Sequence, residues 1–467
     1  MRLGICRQAS ALLLLAACTA EGGTAPAPGE QVAPVVHTPL TTQVAAVGTP
    51  FSFDATLGET AFADPTGRGL TYVTTLAPGG LGLATSAGRI EGVPTAPGVV
   101  LATLTATTRG GVSASQQFRI VVFAGGLPAP LLPTFPYPYS DLRAPVPDYF
   151  WRGTTASLAG IDNTPLDNFT TDAGATLGRV LFYDTRLSRD DRMACASCHQ
   201  QAMGFSDSAR FSRGIDGSRM RRHAMALTNN RFYQEGSYFW DERAPTLEAQ
   251  VLLPIQDAHE LGTPLDEVVL KVAVTPYYPP LFQAAFGTHE VTPDRIARAL
   301  AQFVRSLLST QSRFDSVFLG GGPPDYSRLT AEEQAGRELF VGTAGCGACH
   351  HTNTQVSDAA RNIGLDAVRS DEGAGNGRFK APSLRNATVR GRYMHDGRFA
   401  SIREVLDFYD HGVQPDPELD TRLRNPDGSP KRLNLTPDQF DALEAFLATL
   451  TDQAFLVDPR FSTPFPQ

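Results

Sequence analysis

Four of the six cysteines in this chain lie in two copies of the pattern C-x-x-C-H. The copies contain Cys195, Cys198 and His199, and Cys346, Cys349 and His350. Two thiols at this spacing can form thioethers with the vinyl groups of one haem, and the adjacent histidine then binds the iron. A lone C-x-x-C could instead be a redox dithiol or half of a zinc site. Because the chain has only six cysteines and nine histidines, two accidental matches are improbable, and the pattern predicts two covalently bound haem c groups.

A repeated helical segment precedes each haem motif. Residues 178–182 read GRVLF, and residues 336–340 read GRELF. Thr330 and Glu333 form a capping-box pattern, which predicts that a helix begins just before the second copy. In small c-type cytochromes the first helix leads into the haem motif and packs beside the porphyrin, so the repeat predicts two cytochrome c domains in tandem.

The residues before the first haem motif have a different character. Residues 42–125 carry few charges and alternate apolar residues with threonine, which predicts short antiparallel strands in a β-sandwich. Residues 88–98 resemble the turn-and-strand signature of bacterial Ig-like or cadherin-like modules, so a spacer or adhesion role is expected for this domain. The predicted fold is therefore multidomain, an N-terminal all-β sandwich followed by two mainly α cytochrome c domains.

The predicted segments can be given as residue ranges. They are a lipoprotein signal peptide (1–18), a flexible tether (19–41), the sandwich (42–125), a Pro-rich linker (126–148) and the two cytochrome c domains (149–320 and 321–467). Helical periodicity within the last two segments is clearest at residues 292–309 and 438–450.

The N-terminus has the pattern of an exported lipoprotein. Arg2 and Arg7 accompany an apolar stretch, residues 9–17, that is too short to span a membrane. Residues 15–18 read LAAC and match a lipobox, in which the signal is cut before Cys18 and this cysteine is acylated. Ordinary cleavage after a small residue is the alternative. The expected location is the periplasm or the cell surface, with a lipid anchor in a bacterial membrane, the outer membrane being favoured.

Composition limits the classes of function. With 467 residues, of which 42% are hydrophobic, the chain can form two or three packed cores. Its net charge of −8 gives no reason to expect binding to nucleic acid. No segment of the sequence is apolar over a length that would cross a bilayer, so membrane attachment is expected through the lipid alone.

From about residue 150 onward, the sequence resembles the bacterial dihaem cytochrome c peroxidases and the related MauG-type dihaem oxidases. The motifs that carry the resemblance are LGRVLFYD at 177–184, RLS at 186–188, FWDERAPTLEAQ at 239–250, PIQ at 254–256, Glu260, and YMHDGR at 393–398. They occur in the order found in the family, within a region that covers more than two thirds of the chain.

The resemblance assigns the peroxidatic role to the haem on His199. Glu260 corresponds to the family's distal acid–base glutamate, and Gln250 and Pro254 correspond to its neighbours in the pocket. A proton must move from one peroxide oxygen to the other during cleavage, which requires such a group. Residues 214–217, where dihaem peroxidases carry a histidine that can cap this iron, read GIDG. The resemblance therefore implies an iron that is open or water-bound without reductive activation.

Trp240 and the haem on His350 have roles in electron transfer by the same resemblance. Trp240 corresponds to the tryptophan between the two haems, although an ordinary core aromatic is the alternative. The haem on His350 is the expected entry point for electrons. Its sixth ligand is expected to be Tyr409, which lies fourteen residues after His395, where peroxidases carry Met and MauG-type enzymes carry Tyr. Met394 is the rival ligand, and Tyr409 could also be a packing residue beside an open or His-capped iron.

Other family features are weaker in this sequence. The asparagine ligand of the bridging calcium corresponds to His223, and the T-x-P element that also binds calcium reads RGR at 390–392. Because calcium prefers oxygen ligands, its presence here is doubtful. A homodimer is an expectation because dihaem peroxidases often form one. His37, His351 and His411 are expected to face solvent without a role.

Three functions follow from these features. The first is an exported peroxidase that reduces hydrogen peroxide to water with electrons from an external redox donor. The second is a MauG-type oxidase that uses peroxide to oxidise a protein or a small aromatic substrate, which Tyr409 and the missing loop histidine favour. The third is a surface electron carrier without enzymatic activity, in which both irons would be six-coordinate and would not react with peroxide.

Overall fold

The structure is a computed structural model that describes residues 31–141, 147–151, 158–320, 323–357 and 359–466. The predicted signal peptide, Cys18 and the first part of the predicted tether lie outside the described residues. The chain forms two compact units, a β unit of residues up to 43, 50–92 and 100–119, and a mainly helical unit of residues 44–49, 93–99 and 120–467. Among the described residues, no helix has both the length and the apolar character needed to span a bilayer.

The β unit is a β-sandwich in which the pairs β1/β4, β3/β7, β5/β8 and β6/β7 are antiparallel. A four-stranded sheet has the order β2–β9–β8–β5, a three-stranded sheet has the order β3–β7–β6, and β1 pairs with β4. The strands are β1 (Val35–Val36), β2 (Gln43–Ala46), β3 (Phe51–Asp54), β4 (Phe62–Ala63), β5 (Leu70–Ala77), β6 (Leu83–Ser86), β7 (Arg89–Gly92), β8 (Gly98–Thr108) and β9 (Ser113–Phe123).

The alternation in the sequence explains how the sandwich closes. On β8, Ala102, Leu104 and Ala106 are fully buried, whereas the threonines between them are half-buried on the other face. The two larger sheets meet through Phe53 of β3 and Phe118 of β9, whose ring centres lie 5.5 Å apart. Burial alternates along β8, and Ile90 of β7 is buried between exposed neighbours, as in a β-sandwich, so the predicted all-β fold of this region is confirmed.

The helical unit contains both haem motifs. Its helices are α1 (Asp172–Tyr183), α2 (Leu247–Gln256), α3 (Leu265–Val274), α4 (Tyr278–Phe286), α5 (Pro293–Ser306), α6 (Ala331–Val341), α7 (Ile402–Asp407), α8 (Pro437–Thr449) and α9 (Gln453–Val457). The capping box that the sequence predicts is formed at the start of α6, where Thr330 and Glu333 exchange hydrogen bonds between side chain and backbone. The predicted mainly α architecture of this region is confirmed.

The repeated GR-x-LF segment has a structural cause. It lies on α1 and on α6, and each of these helices crosses another helix at the glycine of the repeat. A β-carbon at Gly178 would overlap the carbonyl oxygen of Ala299 on α5, and one at Gly336 would overlap the carbonyl oxygen of Ala442 on α8. Glycine is therefore required at both positions for the backbones to approach, and each haem motif follows the first helix of one such crossing pair.

The two haem-bearing parts do not follow the predicted boundaries throughout. The segment after α9 packs against α1, more than two hundred residues earlier: the Tyr183 hydroxyl donates to the carbonyl oxygen of Phe461 at 2.6 Å. Phe455 and Phe461 are buried in the core of the first part. The predicted linker contributes as well, because the Tyr139 hydroxyl donates to the carbonyl oxygen of Arg460 at 2.5 Å. The first part thus includes residues from both ends of the helical unit.

Candidate functional site

The first C-x-x-C-H motif follows α1 and lines a cavity of about 680 Å³. Cys195, Cys198 and His199 all contribute to its wall. The Nδ1 atom of His199 lies 3.0 Å from the carbonyl oxygen of Phe205, which leaves Nε2 available for a metal. Burial lowers the pKa of His199 and favours the neutral imidazole that binds iron.

The second motif follows α6 and repeats this geometry. Cys346, Cys349 and His350 line a separate cavity of about 280 Å³. The Nδ1 atom of His350 lies 3.1 Å from the carbonyl oxygen of Gln355, and burial lowers the pKa of His350 to about 4. Gln355 has a positive φ of 49° and Phe205 one of 60°, so each loop turns sharply to bring its carbonyl to the histidine.

The donor sets fit two c-type haems. Each cavity offers two unpaired cysteines and one histidine whose Nε2 is available, which are the groups that covalent attachment and proximal ligation require. Burial raises the pKa of Cys195 and of Cys346 to about 12, so both are neutral thiols in an apolar wall. The rest of the second lining is mostly apolar, as a porphyrin needs, whereas the first combines apolar residues with several charged ones, five of them arginines.

Glu260 lies on the wall of the first cavity together with Gln250 and Pro254. The last two lie on α2, and Glu260 follows in the turn after that helix. Burial is the main cause that raises the pKa of Glu260 to about 7; the charge of Asp257 adds to it and Arg243 opposes it. A carboxyl group with a pKa near neutrality can both accept and donate a proton.

The loop at residues 214–217 is fastened to the segment that carries Glu260. The backbone N–H of Ile215 donates to the carbonyl oxygen of Glu260 at 3.0 Å, and a β-carbon at Gly214 would overlap the carbonyl oxygen of His259. Asp216 pairs with Nδ1 of His259 at 2.8 Å, and this contact raises the pKa of the histidine. In the sequence alone, the only signal for His259 is its position beside Glu260.

Among the described residues, three line both cavities and form the wall between them: His223, Trp240 and Lys380. The Trp240 indole N–H donates to the carbonyl oxygen of His223 at 2.7 Å, which fixes the ring in the wall. On the side of the second cavity, the Trp240 ring lies 6.5 Å from that of His395, which stacks on Phe379 at 3.6 Å. An aromatic path thus connects the two cavities. Lys380 was not predicted from the sequence.

The positions that correspond to the family's calcium ligands have protein partners. Nε2 of His223 lies 3.0 Å from the Ser206 hydroxyl, and Nδ1 lies 3.2 Å from the carbonyl oxygen of Ala209. The Arg390 guanidinium donates to the carbonyl oxygens of Ser383 and Arg385. Neither side chain offers an oxygen ligand of the kind that calcium prefers.

Tyr409 and Met394 both line the second cavity and pack in one small apolar cluster. Tyr409 lies on a π-helical turn, Phe408–Gly412, and such turns occur frequently at functional sites. Within the described part of the chain, its hydroxyl has no hydrogen-bond partner. Burial raises the pKa of the phenol, so ionisation would need an adjacent cation such as ferric iron. His37, His351 and His411 are exposed, as expected.

Comparison with known proteins adds independent information. Residues 172–322 match the family of di-haem cytochrome c peroxidases, and residues 33–123 match a family of Ig domains. The methylamine utilization protein MauG of Methylorubrum extorquens is 36% identical over 298 residues, which are 61% of this chain and 80% of that protein. The cytochrome c551 peroxidase of Nitrosomonas europaea is 31% identical over 50% of this chain and 71% of its own.

A solved structure shows the same arrangement of the helical unit. The crystal structure of a MauG-like protein associated with microbial copper homeostasis superimposes with a TM-score of 0.56 at 30% identity, covering 64% of this chain and 95% of that one.

Proposed function

Because the chain belongs to the family of di-haem cytochrome c peroxidases and MauG proteins, an oxidoreductase family with two c-type haems, we propose that it reduces hydrogen peroxide to water with electrons from an external donor. The observation that carries the proposal is Glu260. This carboxyl group, whose pKa is raised to about 7, lines the first cavity, to which Trp240 also contributes while lining the second.

The residues of the first cavity hold the reactants and move the proton. Bound haems would supply redox-active iron at both sites. His199 would bind the first iron through Nε2, and Cys195 and Cys198 would fix the porphyrin. Glu260 would accept the proton of one peroxide oxygen and deliver it to the other, which makes water the leaving group. Gln250, on the same wall, would orient the peroxide by hydrogen bonding.

The second cavity would receive electrons from the donor and pass them through the wall. Each peroxide needs two electrons and two protons to yield two molecules of water. Trp240 would shorten the tunnelling path, since its ring lies in the wall and near the aromatic pair of His395 and Phe379. The burial of Glu260 would limit its contact with water and strengthen its electrostatic effect in the first cavity.

Donor-dependent turnover tests this function. The holoprotein is expected to oxidise two equivalents of a one-electron donor per peroxide. In Trp240→Leu, the peroxide reaction of the first site should persist while electron transfer from the second site slows, as measured by stopped-flow absorbance. Trp151→Leu, which changes the other tryptophan of the chain, is the matched control. A protein that does not react with peroxide in either redox state would be an electron carrier and would contradict the proposal.

A MauG-type oxidase is the second candidate, because Tyr409 lies in the second cavity with no hydrogen-bond partner for its hydroxyl in the described residues. In this case peroxide would withdraw electrons from a protein or a small aromatic substrate. Oxidation of such a substrate by fully oxidised holoprotein and peroxide, with no reductant present, would distinguish this function from the first.

We also propose that the protein is exported and anchored by lipid at Cys18, based on the sequence pattern alone. Cys18→Ser is expected to move the protein from the membrane fraction to the soluble fraction, as measured by fractionation and immunoblotting. Cys6→Ser, within the predicted signal peptide, should leave the distribution unchanged. If the Cys18→Ser variant stays in the membrane fraction, the proposed lipid anchor at Cys18 is wrong. A homodimer stays a prediction of the resemblance.

A further inference from the structure

Lys380 is buried in the wall that separates the two cavities. It lines both of them, and only 1% of the residue is exposed. The backbone N–H of Lys380 donates to the carbonyl oxygen of Trp240 at 2.9 Å, which fixes the lysine beside the tryptophan. A charge at this position acts on groups in both cavities, because Coulomb interactions are strong where water is excluded.

Neutral groups surround the Lys380 amine. Nζ donates to the carbonyl oxygen of Ser237 at 2.9 Å and lies 3.8 Å from the ring centre of Tyr233 and 4.5 Å from that of Tyr238. A carbonyl and two aromatic faces attract a cation without cancelling its charge. The carboxylate of Glu242 attracts the amine only from a distance and accepts a hydrogen bond from the Tyr233 hydroxyl.

A second buried lysine provides a comparison within the chain. Lys271 is also 1% exposed, but its Nζ forms a salt bridge with Asp191 at 2.5 Å, as buried charges normally do. Lys380 has no such partner among the described residues. Burial lowers the pKa of Lys380 to about 7, and Glu242 offsets part of this effect. Both the ammonium and the neutral amine are therefore accessible near neutral pH.

We propose that Lys380 is a redox-linked proton-binding residue shared by the two haem sites. When one electron from the external donor reduces the iron at either site from ferric to ferrous, the neutral amine of Lys380 binds one proton from solvent and becomes ammonium. Reoxidation releases the electron and the proton together. The ammonium stabilises the reduced state because its positive charge offsets the negative charge that the added electron brings to either site.

Other titratable groups near Lys380 and the two cavities can be separated from it. Burial lowers the pKa of His223 and raises that of Tyr238 to about 12, so both stay neutral near pH 7. Tyr233 and Glu242 are bound to each other. Glu260 also titrates near neutrality, but of the two cavities it lines only the first. The second haem is therefore the site at which the effect of Lys380 is measured without that of Glu260.

The predicted sign is a reduction potential that falls as pH rises. With one proton bound per electron, the equilibrium constant for reduction falls up to tenfold per pH unit around the pKa, which is about 59 mV for a one-electron couple. The experiment is a spectroelectrochemical titration of the holoprotein between about pH 5.5 and 8.5, with the potential of each haem fitted separately. The inference depends on the bound haems but not on a particular substrate.

Two variants of Lys380 are expected to hold the reduction potential of the second haem at opposite limits. Lys380→Met removes the charge, so the second haem should lose its pH dependence and keep the low potential of the native protein at high pH. Lys380→Arg keeps a permanent charge, so the potential should stay at the high value that the native protein has at low pH. Its pH dependence should vanish. Lys431→Met is the control, because Lys431 is exposed and borders only the second cavity. In this variant the pH dependence of the second haem's potential should stay native.

Several outcomes would overturn the inference. One is a potential of the second haem in the native protein that is constant over this pH range. Another is a native pH dependence of that potential in Lys380→Met. Loss of the pH dependence in Lys431→Met as well would assign the effect to general surface charge. A protein that shows the predicted potentials but does not reduce peroxide would contradict the proposed function and leave this inference standing.

Discussion

Replacing Glu260 with glutamine is expected to slow the reaction of the holoprotein with hydrogen peroxide by about 10²- to 10⁴-fold, the usual contribution of a general acid–base group. Glutamine keeps the size of the side chain and its hydrogen-bonding capacity but cannot accept a proton. The measurement is the second-order rate constant for the loss of the resting absorbance after rapid mixing with peroxide. A native rate in Glu260→Gln would show that the acid–base group lies elsewhere.

The pH dependence provides a sharper form of this test. Because the ionised form of Glu260 accepts the peroxide proton, the native rate constant should fall as pH drops below the pKa of about 7. Asp257 raises this pKa by its negative charge, so Asp257→Asn should move the fall in rate to lower pH and keep the maximum rate. A pH profile that Asp257→Asn leaves unchanged would exclude Glu260 as the titrating group.

Replacing Tyr409 with methionine is expected to raise the reduction potential of the second haem by on the order of 0.1 V, since axial ligands shift haem potentials over several tenths of a volt. A phenolate ligand stabilises ferric iron, whereas a thioether favours ferrous iron. The measurement is a potentiometric titration, combined with the low-spin ferric signal in electron paramagnetic resonance. The expected change is confined to the haem on His350.

Controls at the second cavity distinguish the rival ligand. Tyr409→Phe removes only the hydroxyl, so it should also change the low-spin signal if the phenolate binds iron. Met394→Leu should leave both the signal and the potential native, although Met394 lines the same cavity. The reverse pattern, with Tyr409 variants unchanged and Met394→Leu altered, would identify methionine as the ligand.

The features that the sequence predicted best are those with strict local geometry. Attachment of a haem requires two cysteines and a histidine at one spacing, so both motifs were recognisable without a structure. The helices at 292–309 and 438–450 were predicted because their periodicity is local, and they correspond to α5 and α8. The GR-x-LF repeat was visible in the sequence, but its cause, the close approach of two backbones at Gly178 and at Gly336, required the structure.

The features that the sequence did not reveal depend on distant contacts. Lysine is normally exposed, whereas Lys380 is buried and its amine contacts Tyr233, Ser237 and Tyr238. The contact of Asp216 with His259 joins positions 43 residues apart. Alternation and helical periodicity report the environment of neighbours in the chain and contain no information about such pairs.

The return of the final segment to α1 has a consequence for biogenesis. The hydrogen bond between Tyr183 and Phe461 spans 278 positions. During synthesis the N-terminal half of the helical unit is therefore made long before the C-terminal segment that completes its core. Ligation of the first porphyrin at Cys195 and Cys198 can therefore precede completion of that core, while the maturation machinery still has access to the thiols. Docking of residues 453–466 would then complete the hydrophobic core of the first part around α1.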